Sequence, residues 1–432
     1  MKKIIVLLFL MLGYIAQTHS ETFESGGICY QTSSDSTCYV VKNTNGYSGD
    51  IVLPNTVSHN GKRYYITGIG RYAFEYSNIE SISLGNYVTS IGYGAFKYSE
   101  IESIDFGNAL QTIGSYAFGS CHKLTSIAIP NSVTSIGEAA FDGCVGIVSV
   151  SLGNSVKSIG LGAFWKTKIS QIDIPNSVTS IGAAAFSNTN LTSLFIPRSV
   201  TSIYSASYSS SANIVSGCDL LKSIVVENGN PNYDSRGNCN AIIRKSSNTL
   251  ISGCSNTVIP NSVKTIECMA FEELDSLKSI TIPNSVEKIK SSAFSHCRNM
   301  TSVTIGKSVT FIGEYAFSYN TQLTEVNCLA MTPPQMEERS CFWCYNTAIL
   351  TVPAGSLAAY QTTNWWNEFS NIIPIYAPGD VDGDGRMSID DLAQLIDILL
   401  RGESSAGNAD VNGDGSINIE DLSELIDMLL NS

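Results

Sequence analysis

The chain has 432 residues, a formal net charge of −13, 43% hydrophobic and only 15% charged residues, with 12 cysteines and 4 histidines. An apolar fraction of that size excludes wholesale disorder, and the negative balance excludes a nucleic-acid binder, which needs a basic face. The acidity is local: residues 378–432 hold 13 acidic side chains and two arginines, which leaves the rest of the chain at only −2.

Met1-Lys2-Lys3 precedes an apolar run over residues 4–12 and a polar stretch ending Thr18-His19-Ser20. A charged start, a short apolar core and small residues near a cut predict a secretory signal peptide over residues 1–20, cleaved near Ser20 or Ala16. The run is too short to cross a bilayer, and no later segment reaches the ~18 apolar residues that a spanning helix needs. The chain is therefore expected to be secreted and not membrane-spanning.

One unit of 22–23 residues then recurs. Successive copies read YVTSIGYGAFKYSEIESIDFGN from Tyr87, ALQTIGSYAFGSCHKLTSIAIPN from Ala109 and SVTSIGEAAFDGCVGIVSVSLGN from Ser132. Further copies start at Ser155, Ser177, Ser262, Ser285 and Ser308. A unit this small cannot bury its own core, so the copies must stack into a mainly β solenoid. Leu124, Ile127 and Ile129 follow an L-x-x-L-x-L spacing, and alternation turns Ile127 and Ile129 to one face. Their counterparts Ile82/Leu84, Ile104/Phe106, Ile172/Ile174 and Ile280/Ile282 are expected to form one ladder. Val133, Ile136 and Phe141 supply a second inward set, with turns at Pro130-Asn131 and Gly137. The outward positions Ser83, Asp105, Ser151, Asp173, Thr281 and Thr304 make a polar strip with apolar Phe195 and Val225 beside it. Such a strip suits an extended protein or glycan partner.

The solenoid is expected to span residues 21–377. Residues 204–259 interrupt the repeat and predict a projecting β-hairpin, with strands near 241–243 and 249–251. Residues 332–377 predict a terminal cap, with a final strand at 349–352, a short helix at 356–361 and the aromatics Trp365, Trp366 and Phe369. The string IPNSVTSIGxxAF, the segment GNPNYDSRGNCNAII and the cap string VPAGSLAAY together resemble the BspA-type leucine-rich repeats of secreted bacterial proteins. That resemblance covers residues 51–376 and implies an extracellular binding or adhesion surface without catalysis.

Catalytic signatures are missing from the sequence. It holds no H-E-x-x-H and no G-x-S-x-G, and GKSV at 306–309 has Thr301 where a phosphate loop requires glycine. No catalytic residue is assigned, and the chain is not expected to be an enzyme. Twelve cysteines in an exported chain invite disulfides, and Cys29/Cys38 and Cys239/Cys254 flank candidate hairpins. Cys121, Cys144 and Cys297 instead recur at one repeat position, where a small buried core residue fits. Cys341-Phe342-Trp343-Cys344 lies in the cap rather than before a βαβ helix, which favours a structural role over redox chemistry.

In the acidic tail, residues 380–391 read DVDGDGRMSIDD and residues 410–421 read DVNGDGSINIED. Both fit the twelve-residue calcium loop, with oxygen ligands at positions 1, 3, 5, 7, 9 and 12 and glycine at 6. The first loop offers Asp380, Asp382, Asp384, the Arg386 carbonyl, Ser388 and Asp391. The second offers Asp410, Asn412, Asp414, the Ser416 carbonyl, Asn418 and Asp421. Two Ca²⁺ ions are expected, each a hard cation that takes about six to eight oxygens. Position 12 is Asp in both loops, where the usual rule has Glu. Ile389 and Ile419 are expected to pair in a short strand. Pro378-Gly379 abuts the first loop, so each unit is a loop with only an exiting helix. Leu392, Leu395, Ile396 and Leu399, and likewise Leu422, Leu425, Ile426 and Leu429, recur at helical spacing and are expected to form the seam of a small all-α pair over residues 378–432.

This duplicated motif resembles a type I dockerin. The resemblance implies calcium-dependent docking into a cohesin-type module of a scaffold protein. It also implies partner-binding residues at loop positions 10 and 11 and along the helices: Ile389, Asp390 and Asp397, with Ile419, Glu420 and Asp427. The near-symmetry implies docking in either of two orientations. Dockerins often belong to polysaccharide-degrading complexes, so an accessory or enzymatic component of such a cellulosome-like assembly is the alternative reading.

Overall fold

The computed structural model describes residues 20–204, 213–376, 378–383, 386–402 and 408–431. Apart from Ser20, the expected signal peptide lies outside the described residues. The chain divides into two compact units, Met1–Ser209 with Glu227–Pro231 and Ser210–Val226 with Asn232–Ser432. Both are built as β-solenoids, and the second also carries the helical tail. Among the described residues no helix is long and apolar enough to cross a membrane.

In the first unit each repeat contributes a strand of two or three residues to a parallel ladder. Ile91, Ile113, Ile136, Ile159, Ile181 and Ile203 face one another in register from coil to coil. All six are buried, because alternation within so short a strand leaves one inward position. On another side of the coil Ile51 pairs in register with Ile82 and Ile82 with Ile104, while Ile127 pairs with Val150. Between these ladders runs a column of stacked phenylalanines, Phe74, Phe96, Phe118, Phe141, Phe164 and Phe186, nearly parallel and 4.8–6.0 Å apart. Each ring is fully buried. The backbone of Phe74, Phe96 and Phe118 donates to the alanine carbonyl of the next coil, at 2.7 Å in each case.

Holding that phenylalanine inward requires two left-handed residues per coil, at positions −2 and +2 from the ring. They are Tyr72 and Tyr76, Tyr116 and Ser120, and Ala184 and Asn188, all at φ between +54° and +58°. Few of them are glycine, so the strain is carried by the surrounding hydrogen bonds and stacking. Buried polar groups near the turn close onto the phenylalanine carbonyls. Ser77, Thr167 and Thr189 donate to the carbonyls of Phe74, Phe164 and Phe186 at 2.7–2.9 Å. Gly137 leads from the strand Ser135–Ile136 into the turn over residues 138–143. A Cβ there would meet the Ser115 nitrogen at 2.5 Å, so glycine is required for the close approach of neighbouring coils.

The second unit repeats the scheme. Leu250, Ile266, Ile289, Ile312 and Met336 form one in-register ladder. Ile280, Val303, Val326, Leu350 and Ile372 form another. Phe271, Phe294, Phe317 and Phe342 stack at 4.9–5.1 Å. The expected projecting hairpin is instead woven into the solenoid. Its strands Ala241–Arg244 and Thr249–Gly253 pair antiparallel, but the second also pairs parallel with Thr265–Ile266. Thr249–Gly253 is buried throughout, so projection into solvent would expose Leu250 and Ile251. The strand Ile349–Pro353 is not the last, since Asn371–Ile375 pairs parallel beyond it. Between them lies a short helix, α1 (Leu357–Thr362). Trp366 and Tyr360 seal this end, donating to the carbonyls of Pro334 and Ala330 at 2.8 Å each.

All twelve cysteines lie among the described residues, and none is joined to another in a disulfide. Cys121, Cys144 and Cys297 sit fully buried and donate to the carbonyls of Phe96, Phe118 and Phe271 at 2.9–3.0 Å. Cys341 and Cys344 are buried as well, and burial pushes the Cys344 thiol up to about 12. Neither is poised as a nucleophile.

Glu272 adds a pH dependence. Burial first, and then the neighbouring Glu273, push its carboxyl from 4.5 up to about 7. The folded state therefore holds this proton more tightly than the unfolded chain. Its contribution to stability is complete below about pH 4.5 and is lost as pH rises through about 7. Unfolding midpoints of the parent measured from pH 4 to 8 should fall with pH across this window, and Glu272→Gln should flatten that slope. An unchanged slope in the variant would remove Glu272 as the cause.

Candidate functional site

The tail places its chemistry on two loop–helix repeats. Helix α2 (Ile389–Arg401) follows the first loop and α3 (Ile419–Asn431) follows the second. Ser388 caps α2 by accepting from the Asp390 N–H at 3.0 Å, and Asn418 accepts from the Glu420 N–H at 2.6 Å. The aspartates at loop position 12 latch the loops. Asp391 is wholly buried and accepts from the N–H groups of Asp382 and Ser388 at 3.1 and 2.7 Å. Asp421, equally buried, accepts from Val411, Asn412 and Asn418 at 2.7–3.1 Å. Each of these carboxylates ties the two ends of its own loop together.

In the first loop, ligand oxygens of Asp380, Asp382 and Asp391 all lie within 4.8 Å of one another. Asp380 and Asp391 are buried and Asp382 is exposed. Three hard carboxylate donors converging this closely fit a calcium ion. Asp384 lies outside the described residues, while Arg386 is exposed and Ser388 half-buried beside them. In the second loop Asp410, Asp414 and Asp421 do not converge to the same degree. There Asp410 accepts from the N–H groups of Asp414 and Gly415 at 3.0 and 2.8 Å, Asn412 from Asp414 at 2.9 Å, and Asp414 from Ser416 at 2.8 Å. Gly383 in the first loop has φ +76°, and a Cβ there would come within 2.7 Å of the Tyr376 ring. A side chain at that position would be strained.

Helix packing revises two expectations. The buried residues between the repeats are Leu395, Ile398, Ala409, Val411 and Leu425, with Leu392, Leu399, Leu422 and Leu429 half-buried against them. Ile396 and Ile426, expected in that seam, face solvent at 40% and 39% exposure. Ile389 and Ile419 do not pair in a strand. They open the two helices at 73% and 70% exposure, because the core positions of the loops are taken by Met387 and Ile417. Leu400 and Leu430 are more exposed still, at 81% and 78%. Each helix thus shows solvent an isoleucine, a second isoleucine seven residues on and a leucine four beyond that, all on one face. Asp390, Asp397, Glu420 and Asp427 are exposed alongside, and Asp397 pairs with Arg401 at 2.6 Å. Sequence periodicity could not separate this stripe from the seam, since both repeat with helical spacing.

On the solenoid, Asp105, Ser151, Asp173 and Thr281 are exposed as expected, with Ser83 and Thr304 half-buried. Phe195 and Val225 are 47% and 43% exposed.

A model of the BspA type leucine rich repeat region matches residues 89–215 and 244–363 in six copies. The chain belongs to the BspA-type leucine-rich repeat family. A model of the dockerin type I domain matches residues 378–430, and domains of this type bind calcium. The family's solenoid is also found in solved structures. A leucine rich cell surface protein from Faecalibacterium prausnitzii has a TM-score of 0.56 at 21% identity, over 85% of this chain and 97% of that one. The pneumococcal vaccine antigen PcpA has a TM-score of 0.51 at 16% identity, over 82% of this chain and 98% of that one. At these identities the likeness is one of fold. No curated protein sequence matches. This family member is therefore a leucine-rich repeat protein with a C-terminal dockerin domain, and neither matched family supplies a catalytic domain.

Proposed function

We propose that this is a secreted, non-catalytic binding protein, whose repeat units hold a protein or glycan target and whose tail docks, with two calcium ions bound, to a cohesin-type module of an extracellular assembly. The observation that carries this reading is the matched pair of apolar stripes on α2 and α3, equal in composition and in exposure. Large exposed aliphatic side chains on two short acidic helices are costly unless a partner covers them. Calcium would be held by Asp380, Asp382, Asp384, Ser388, Asp391 and the Arg386 carbonyl, and by Asp410, Asn412, Asp414, Asn418, Asp421 and the Ser416 carbonyl. It would supply the positive charge that draws these oxygens together and sets the helices. Ile389, Asp390, Asp397, Ile419, Glu420 and Asp427 contribute to docking together with Ile396, Leu400, Ile426 and Leu430.

The test is capture of the full chain by immobilised cohesin modules in Ca²⁺ and in chelator. Because the stripes are equivalent, Ile389→Ser with Leu400→Ser should weaken capture only about two- to threefold, as should the matching pair Ile419→Ser with Leu430→Ser. All four together should abolish it, since apolar contacts of this size contribute about 1–3 kcal/mol each. Capture that persists in the fourfold variant, or that ignores chelator, would refute docking through these stripes.

A further inference from the structure

The second unit carries an aromatic stack that the docking reading does not use. His296 and Tyr319 occupy the left-handed position two residues past the phenylalanine column, at φ +60° and +61°, and stack at 4.2 Å with planes 13° apart. Trp343 packs on Tyr319 with centroids 3.9 Å apart and its plane tilted by 40°. The stack ends there: among the described residues no other ring packs on Trp343, and the residue is 58% exposed. Trp343 also lines a cleft of about 480 Å³. That volume is within the range of small-ligand sites, about 300–1,000 Å³.

The other walls are polar and held in place. Glu338 accepts from the Ser340 hydroxyl, and Arg339 is clamped by Glu368. Asn346 accepts from Ser370 at 3.2 Å, which fixes its amide and leaves the NH₂ as a donor. Tyr315 closes a further side. The charges around the cleft favour a neutral ligand. Glu314, Glu337 and Glu338 gather here, and the hydrogen bond to Glu338 holds the Glu314 carboxyl above its ordinary value. Arg339, already paired, cannot offset them.

We infer that this cleft binds a neutral sugar, the end of an oligosaccharide, with the apolar face of one pyranose ring on Trp343 and its hydroxyls on Glu338, Arg339 and Asn346. A pyranose combines an apolar C–H face with an edge of adjacent donors and acceptors. An open indole face beside a fixed amide, a carboxylate and a guanidinium answers both halves. A fatty ligand would leave the polar walls unpaired, and an acidic sugar would meet the three glutamates. The inference narrows the proposed solenoid target to a carbohydrate and is independent of how the tail docks.

The test uses the full chain in Ca²⁺ and follows tryptophan fluorescence and titration heat. Probes are neutral oligosaccharides of the cello-, manno-, xylo- and galacto- series, with oligogalacturonate and sialyllactose as acidic counterparts. At least one neutral series should bind and shift the emission, and the acidic probes should not. Trp343→Ala should weaken binding about tenfold or more, Trp343→Phe should keep part of it, and Asn346→Ala should weaken it about threefold or more. Circular dichroism confirms that each variant remains folded. Absence of binding by every neutral series at millimolar concentration, or equal binding by parent and Trp343→Ala, would overturn the assignment. Cohesin capture by the same samples is scored separately, so a failure here is distinguishable from a failure of docking.

Discussion

Chelation of calcium is expected to unfold residues 378–431 of the full chain while both solenoid units keep their structure. The tail's own core is small. Among the described residues its buried hydrophobic side chains are Leu395, Ile398, Ala409, Val411 and Leu425, too few to hold a domain of this size unaided. Its charge works against it as well, since a net −11 lies within 55 residues and the aspartates of each loop face one another. An ion bound at a hundredfold excess over its dissociation constant contributes about 2.7 kcal/mol, so two sites supply about 5 kcal/mol. That is comparable to the whole stability of a small domain. Hydrogen exchange in Ca²⁺ should show protection through α2 and α3 that disappears in chelator, with the phenylalanine-column coils unchanged. Asp391→Ala removes the latch at both ends of the first loop and should reproduce the loss in α2 even when calcium is present. Equal protection of the tail with and without chelator would show that its fold does not depend on the ion.

Replacing Phe294 by Ala should be the most damaging single change in the second unit. The ring is fully buried, stacked on Phe271 at 4.9 Å and on Phe317 at 5.1 Å. Truncation of a buried phenylalanine costs about 3–5 kcal/mol through lost transfer energy and the remaining cavity. The vacancy lies between two rings of a rigid column, so neighbours cannot relax into it without leaving their own coils. Damage should spread to adjacent coils first, because a repeat array is coupled mainly between neighbours. Thermal unfolding with residue-level exchange would read both size and spread. Val258→Ala, at a position 73% exposed, is the control and should stay within about 0.5 kcal/mol. A Phe294→Ala effect no larger than the control would mean that the column does not carry the unit's stability.

The solenoid was legible because its inward residues repeat. Ile136 and Phe141 recur at fixed spacing in copy after copy, and burial follows directly from that spacing. The left-handed backbone at Tyr72, Tyr76 and Tyr116 was not legible. Glycine signals such a conformation, but here tyrosine adopts it, supported by contacts with the next coil that no single unit contains. The same non-local cause hid the pairing of Thr249–Gly253 with Thr265–Ile266, since a hairpin reads the same whether it projects or joins a sheet. In the tail the ligand spacing was visible in both loops. The division of Leu395 from Ile396 was not, since adjacent apolar residues on a short helix both fit the pattern, and only the partner helix decides which one is covered. The stack ending at Trp343 was not legible as a stack, because Trp343 lies one residue past Phe342, whereas His296 and Tyr319 lie two residues past theirs.

The parallel ladders of the second unit also bear on how such a chain can change. Ile266 faces Ile289, and Ile289 faces Ile312, each at the same offset of 23 residues. Every coil therefore presents its follower with nearly the surface it received. Removing residues 285–307 would join Asn284 to Ser308 and restore the string IPNSVT, found intact at residues 129–134. The cut leaves no mismatched junction, so length can vary by whole coils through unequal recombination while the cap and the dockerin domain are kept. The length of the repeat array and the make-up of the dockerin domain can then vary as separate traits.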